Sequence, residues 1–219
     1  MNPKITHIIY DNDGLLLDTE PFYTEAHSMV AARFGKTFDW SVKSKIIGLK
    51  AEDSARICLD MMDIPLTVSE YLEARKAKLE ELFPESKPLP GAVRLTSRFS
   101  ELGVPQAVAT SAERRHFELK TLRHRQWYDL FNCIVTGDDP EIGQGKPAPD
   151  IFLLAARRMQ ADPEHCLVFE DSPAGVAAAR AAGMYAIAVP DPHMDHGVYD
   201  TAHEILRSLV DFDPSRWGF

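Results

Sequence analysis

Asp11 and Asp13 stand two apart, directly after the apolar run 5–10 and directly before Gly14. A second acidic pair, Glu170-Asp171, follows the run 166–169. Thr110-Ser111 closes the run 105–110, and Lys146 sits in Gly145-Lys146-Pro147-Ala148-Pro149, some way after the run 133–136. Carboxylates crowded together repel one another and rise in pKa unless a cation lies among them. Oxygen ligands with no His or Cys in the set suit Mg2+ better than zinc or copper. A bound Mg2+ and Lys146 would offset the charge of a phosphoryl group, with Thr110, Ser111 and backbone N–H groups bonding its oxygens. Asp11 could then attack phosphorus to give an aspartyl-phosphate. Asp13 could protonate the leaving oxygen and later deprotonate the attacking water. Gly14 would let the chain turn sharply enough for both carboxylates to reach one centre.

Each signal also has a plain reading. A lone lysine is commonly a solvated surface residue. Thr110-Ser111 fits a strand end, and Glu170-Asp171 fits the start of a helix near Pro173. What joins the four signals is their common place, each after a strand pattern. Strand-like runs at 5–10, 105–110, 133–136, 166–169 and 185–189 alternate with helical patterns at 92–102, 113–124, 150–159, 173–182 and 201–209. That alternation predicts an α/β fold with a mainly parallel sheet, whose carboxyl edge gathers ligands. Gly103 and Gly183 occupy helix C-cap positions, and Asp150 and Ser172 read as N-caps.

One interval breaks the rhythm. Residues 20–83 carry helical periodicity and no strand, more than one crossover needs. They predict a helical insert, and the Pro-rich stretch 84–91 reads as its linker.

The totals bound the partners. The chain has 219 residues and a net charge of -9. This acidity predicts no nucleic-acid partner. No apolar stretch approaches membrane-spanning length, and none near Met1 has a signal-like pattern, so no membrane association is expected. Cys58, Cys133 and Cys166 are odd in number and widely spaced, which reads as reduced thiols in a cytoplasmic setting. A monomer is expected.

The set Asp11-x-Asp13-Gly14, Thr110, Lys146 and Glu170-Asp171 resembles the four motifs of the haloacid dehalogenase-like phosphatase superfamily, over essentially the whole chain. The resemblance implies a Rossmann-like doubly wound core over 1–18 and 87–219, with an inserted helical cap of type C1 over 19–86. It implies that Asp11 is the nucleophile and Asp13 the acid and base. Asp11, the Asp13 carbonyl and Asp171 would hold Mg2+ with help from Glu170, while Thr110 and Lys146 bind phosphate. Residues 15–19 and 89–91 would form the two hinge strands.

Longer stretches, including 10–20, 36–41, 115–117, Lys120-Thr121, Arg123-His124, 137–141 and 168–171, resemble a subgroup containing pseudouridine-5'-phosphatase and the plant glycerol-3-phosphatases. The implied substrate is a small phosphorylated metabolite: pseudouridine 5'-phosphate, glycerol 3-phosphate or a sugar phosphate. Lys50 is the cap candidate for contacting it.

Asn12 departs from the apolar residue usual there, at a cost unless its amide finds partners. A β-phosphoglucomutase is the nearest rival, but its pattern has a His and an Arg where Tyr23 and Ala51 stand here. A dehalogenase has no use for Asp13. A phospho-aspartate switch such as a receiver domain is about half this length and places its acceptor after the third strand.

Overall fold

A computed structural model describes residues 4–46 and 51–219. The chain divides into two compact units, Met1–Asp18 with Lys87–Phe219, and Thr19–Ser86.

The larger unit begins with β1 (His7–Tyr10) and β2 (Leu17–Asp18). The smaller unit follows as α1 (Glu20–Ala32), α2 (Trp40–Ile46), α3 (Ala51–Met62) and α4 (Val68–Leu82). The larger unit resumes with β3 (Lys87–Pro88), α5 (Ala92–Glu101), β4 (Gln106–Thr110), α6 (Arg114–Lys120), α7 (Arg125–Tyr128) and β5 (Cys133–Thr136). It ends with α8 (Asp150–Arg158), β6 (Cys166–Glu170), α9 (Pro173–Ala181), β7 (Tyr185–Ala188) and β8 (Glu204–Ile205).

Six of these strands form a parallel sheet in the order β5-β4-β1-β6-β7-β8. β1 is central, and the chain winds first toward β5 and then back across it toward β8. The switch falls between β1 and β6, where such sheets open a crevice at their carboxyl ends. Ile8, Ile9 and Tyr10 are completely buried, as expected of a strand covered on both faces.

Alternation sorts the side chains into two layers. Ile8, Tyr10, Leu167 and Phe169 meet α5, α6 and the C-terminal segment through Phe99, Phe117, Phe212 and Trp217. Ile9, Ala107, Val135 and Val168 meet α8 and α9 through Phe152, Ala155 and Val176. Large-to-small changes in such layers cost about 2–5 kcal/mol each.

The smaller unit has its own core of Val30, Phe38, Val42, Ala55, Leu59, Met62 and Tyr71. Thr67 caps α4 reciprocally with Glu70, a pattern that fixes a helix start. A polar cluster is buried beside this core. His27 stacks on Phe38 with ring centroids 4.6 Å apart. Its Nε2 lies 3.0 Å from Arg75 Nη1, and its Nδ1 lies 2.7 Å from the Tyr71 hydroxyl. A guanidinium only donates. Nε2 is therefore the acceptor, and Nδ1–H donates to Tyr71.

The structure corrects several sequence expectations. Residues 201–209 are not a helix: β8 pairs there with β7 at Ile187 and Ala188, and a 3-10 turn follows at Leu209–Asp211. The span 113–124 breaks after Lys120, and a short second helix starts at Arg125. Asp150 is not an N-cap. Pro149 holds that position, and the Asp150 carboxylate instead accepts from the Gly143 and Gln144 N–H groups at 3.1 and 2.9 Å. The antiparallel partner of β2 is Lys87–Pro88, two residues before the stretch expected. Residues 89–91 turn into α5 instead, with Gly91 left-handed at φ 89° against the backbone of Leu209 and Val210. Ser172 does cap its helix, accepting from the Gly175 N–H at 3.0 Å.

Candidate active site

The site assembles on the carboxyl edge of the sheet. The Asp11 N–H donates to the Phe169 carbonyl at 3.0 Å, so β1 stays tied to β6 one residue past the strand. The chain then doubles back. The Leu16 and Leu17 N–H groups both donate to the Asn12 carbonyl, at 3.0 and 2.9 Å, and Gly14 sits at φ +75°. A Cβ on Gly14 would collide with the Asp171 carboxylate, so glycine serves both the turn and the close approach.

Lys146 reaches in from the long connection after β5. Its ammonium donates to Asp11 Oδ1 at 2.5 Å, to the Ala109 carbonyl at 3.0 Å and to Glu170 Oε1 at 2.6 Å. The other Glu170 oxygen accepts from the Ser172 N–H and hydroxyl, both at 3.0 Å. Glu170 is fully buried, and both its oxygens are committed to orienting its neighbours.

Thr110, at the end of β4, donates its hydroxyl to Asp13 Oδ2 at 3.2 Å and accepts from the Ala112 N–H at 3.1 Å. Ser111 beside it is exposed, and its backbone carbonyl passes so close to Gly137 that a Cβ there would overlap it. The Tyr199 hydroxyl donates to the Asp171 carbonyl at 2.6 Å, fixing the end of β6.

The site carboxylates and ammonium groups shift one another. Burial, opposed by Lys146 but reinforced by Glu170 and Asp13, lifts the Asp11 carboxyl to about 7. Burial would lower Lys146, but Asp11 and Glu170 outweigh it and hold the ammonium above its usual range. Lys146 faces Asp11 and Glu170, and Lys120 faces Asp13. The carboxylates are hard oxygen donors, the kind that fits Mg2+.

The structure thus brings Asp11, Asp13, Thr110, Lys146, Glu170 and Asp171 to one edge. Ser111 lies beside them, and Lys50 is outside the described residues.

Two residues in this region escaped the sequence reading of the site. Lys120 is completely buried, with Nζ 2.5 Å from Asp13 Oδ1. The available signal was its spacing of three from Phe117, which puts both on the inward face of α6. Tyr128 donates its hydroxyl to Asn12 Oδ1 at 2.5 Å, which supplies a partner for the buried amide. Among the described residues, Asn12 Nδ2 has no hydrogen-bond partner.

Another acidic cluster, Asp162, Glu164 and His165, has ligand atoms close enough to one another to suggest a cation. Asp162 is an N-cap there, accepting from the Glu164 N–H at 3.3 Å, and the cluster is largely exposed. None of the sheet-edge residues takes part. Among the described residues no helix is long and apolar enough to cross a membrane.

Comparison with known proteins matches residues 5–183 to the haloacid dehalogenase-like hydrolase family. A relative from Arabidopsis thaliana, (DL)-glycerol-3-phosphatase 2, is 49% identical over 98% of this chain and 92% of its own length. A Drosophila melanogaster relative described as a probable pseudouridine-5'-phosphatase is 43% identical over 98% of this chain and 94% of its own. The crystal structure of CbbY from Rhodobacter sphaeroides in complex with phosphate is 25% identical, with a TM-score of 0.78, and the match covers 94% of this chain and 96% of that one.

Proposed function

The chain belongs to the haloacid dehalogenase-like hydrolases, and from that premise we propose that it is a Mg2+-dependent phosphatase of a small phosphorylated metabolite, acting through phospho-Asp11. One observation carries the reading: Asp11 is held at 2.5 Å by Lys146 while Asp13, two residues on, is held separately by Thr110. A nucleophile and an acid–base group are thereby fixed side by side, with independent supports.

In the first step an Asp11 oxygen forms a bond to phosphorus as the bond to the substrate's ester oxygen breaks. Asp13 delivers a proton to that oxygen, releasing an alcohol. In the second step Asp13 takes a proton from water, whose oxygen bonds phosphorus as the Asp11–phosphorus bond breaks. Inorganic phosphate leaves and Asp11 is regenerated. Lys146 supplies positive charge for the phosphoryl oxygens, while the Thr110 hydroxyl, whose one proton goes to Asp13, holds that carboxylate in place. Glu170 keeps Lys146 extended toward the phosphoryl oxygens. Asp11, the Asp13 carbonyl and Asp171 would hold Mg2+, which when bound offsets the charge of the phosphoryl group.

The unit Thr19–Ser86 serves as the cap in this reading, and the substrate is glycerol 3-phosphate, pseudouridine 5'-phosphate or a related sugar phosphate, the compounds named for the relatives. The test is phosphate release from 4-nitrophenyl phosphate and from a panel holding those esters, with Mg2+ and after exhaustive EDTA treatment. Metal-dependent release supports the reading, and activity that survives EDTA removes the metal. With β-glucose 1-phosphate, conversion to the 6-phosphate with little phosphate freed would replace hydrolysis by transfer.

A further inference from the structure

Resting on that phosphatase reading, we propose that Lys120 is a positioning residue that holds Asp13 in its working pose, so that water can take up the phosphoryl group without help from a second substrate.

Lys120 closes α6 and shares its buried face with Phe117. Helical side chains lean toward their own N-terminus. A lysine in the last turn of α6 therefore reaches back toward the start of that helix, which follows the carboxyl end of β4. There its Nζ lies 2.5 Å from Asp13 Oδ1. The Lys120 side chain is 0% exposed and that of Asp13 20%. The cation is thus enclosed, while the carboxylate keeps an open side. An enclosed ammonium requires a counter-charge, and Asp13 supplies it when ionised, the form that accepts a proton from water in the second step.

The second Asp13 oxygen takes the Thr110 hydroxyl. The carboxylate is therefore gripped at both oxygens, by a helix end and by a strand end. Both grips belong to the unit that also contains Asp11. Asp13 is then in place after the alcohol has gone, when it must accept a proton from water. A phosphoenzyme with its base already aligned is short-lived.

The test separates the two chemical steps with 4-nitrophenyl phosphate, whose leaving group needs little protonation. Wild-type enzyme should release nitrophenolate without a burst. Lys120→Met should retain a fast first turnover, giving a burst equal to the enzyme concentration. Its steady rate should then be roughly tenfold to a hundredfold slower, as expected when a general base is misplaced. A variant whose steps slow equally without a burst, or whose steady rate matches wild type, overturns the proposal.

Folding is followed by near-UV circular dichroism. If Lys120→Met fails to fold, Asp13→Asn/Lys120→Met, which removes both charges, is compared with Asp13→Asn. Equal residual rates support action through Asp13, and a further drop overturns it. Wild-type enzyme that frees no nitrophenolate brings down the phosphatase reading, and this proposal with it.

Discussion

Asn12 carries a polar amide into a position enclosed on all sides, and the Tyr128 hydroxyl is what makes it tolerable. Removing one partner leaves the other buried without a hydrogen bond, at about 1–3 kcal/mol. Asn12→Leu should therefore lower the melting temperature of the larger unit. Asn12→Leu/Tyr128→Phe should recover most of that loss, because both polar ends are gone. Additive losses in the double variant would show that the two side chains are not coupled. At Asp11, replacement by Asn keeps the shape and removes the nucleophilic charge. Turnover should vanish while the circular dichroism spectrum stays unchanged, and a variant keeping a tenth of the wild-type rate would exclude Asp11 as nucleophile. The acidic residues were legible in the sequence because their spacing recurs at strand ends. Lys120 was not, because a single lysine in a helix has the same appearance whether its head meets water or a carboxylate.

At the scale of elements, α9 shows how closely helix and site are fitted. Gly175 faces the Glu170 carboxylate so tightly that a Cβ would overlap it. Gly175→Ala should push Glu170 off Lys146 and lower kcat by roughly tenfold or more, on the scale of a disturbed positioning group, while α9 itself remains helical in a spectrum of the variant. The plain reading of the Glu170-Asp171 pair proves half right, since Glu170 supports the N-terminus of α9 through Ser172 and orients Lys146 as well.

The helices of the smaller unit carry a pH dependence. Burial first, then Arg75 and Lys43, lower His27 to about 3. Above its ordinary value of about 6.5 the imidazole is neutral folded or unfolded, and its contribution is fully present. Between about 6.5 and about 3 only the unfolded chain takes up the proton, so stability falls as pH falls. By pH 4.5 the loss should reach roughly 2–3 kcal/mol. Urea midpoints of this unit at pH 7 and 4.5 measure it, and His27→Gln should flatten the difference. The misread helix at 201–209 has a physical cause at this scale too. Its apolar spacing suits a helix, but the free edge of β7 offers backbone partners that a local pattern does not display, and Glu204–Ile205 takes them.

For the molecule as a whole, each unit has apolar packing of its own: among the described residues, the two clusters that line the sheet are built from 1–18 and 87–219, and the third from 19–86. The places where the chain leaves and re-enters the larger unit are paired strand residues, with Asp18 opposite Lys87. A chain in which Asn-Gly replaces residues 19–86 should close β2 and β3 as a tight hairpin and melt in one cooperative transition. A molten spectrum without near-UV signal would mean that the insert is needed for the larger unit to fold. The insert was legible as an excess of helical pattern, because a single crossover accounts for far fewer residues. The pairing of its two ends depends on the fold being formed, and no local pattern announces it.

That pairing also bears on how fast the chain folds. β1 meets β4 with Ile8 opposite Gln106, so the central ladder closes a very long stretch of chain. If residues 19–86 fold first, their ends already lie one strand spacing apart, and the stretch left to close is only about a third as long. Closure probability falls with roughly the three-halves power of length, so the prefolded insert brings β1 and β4 together about fivefold more often. The acid sensitivity of His27 then becomes a kinetic lever: conditions that loosen the insert should slow assembly of a sheet whose described strands all lie outside it.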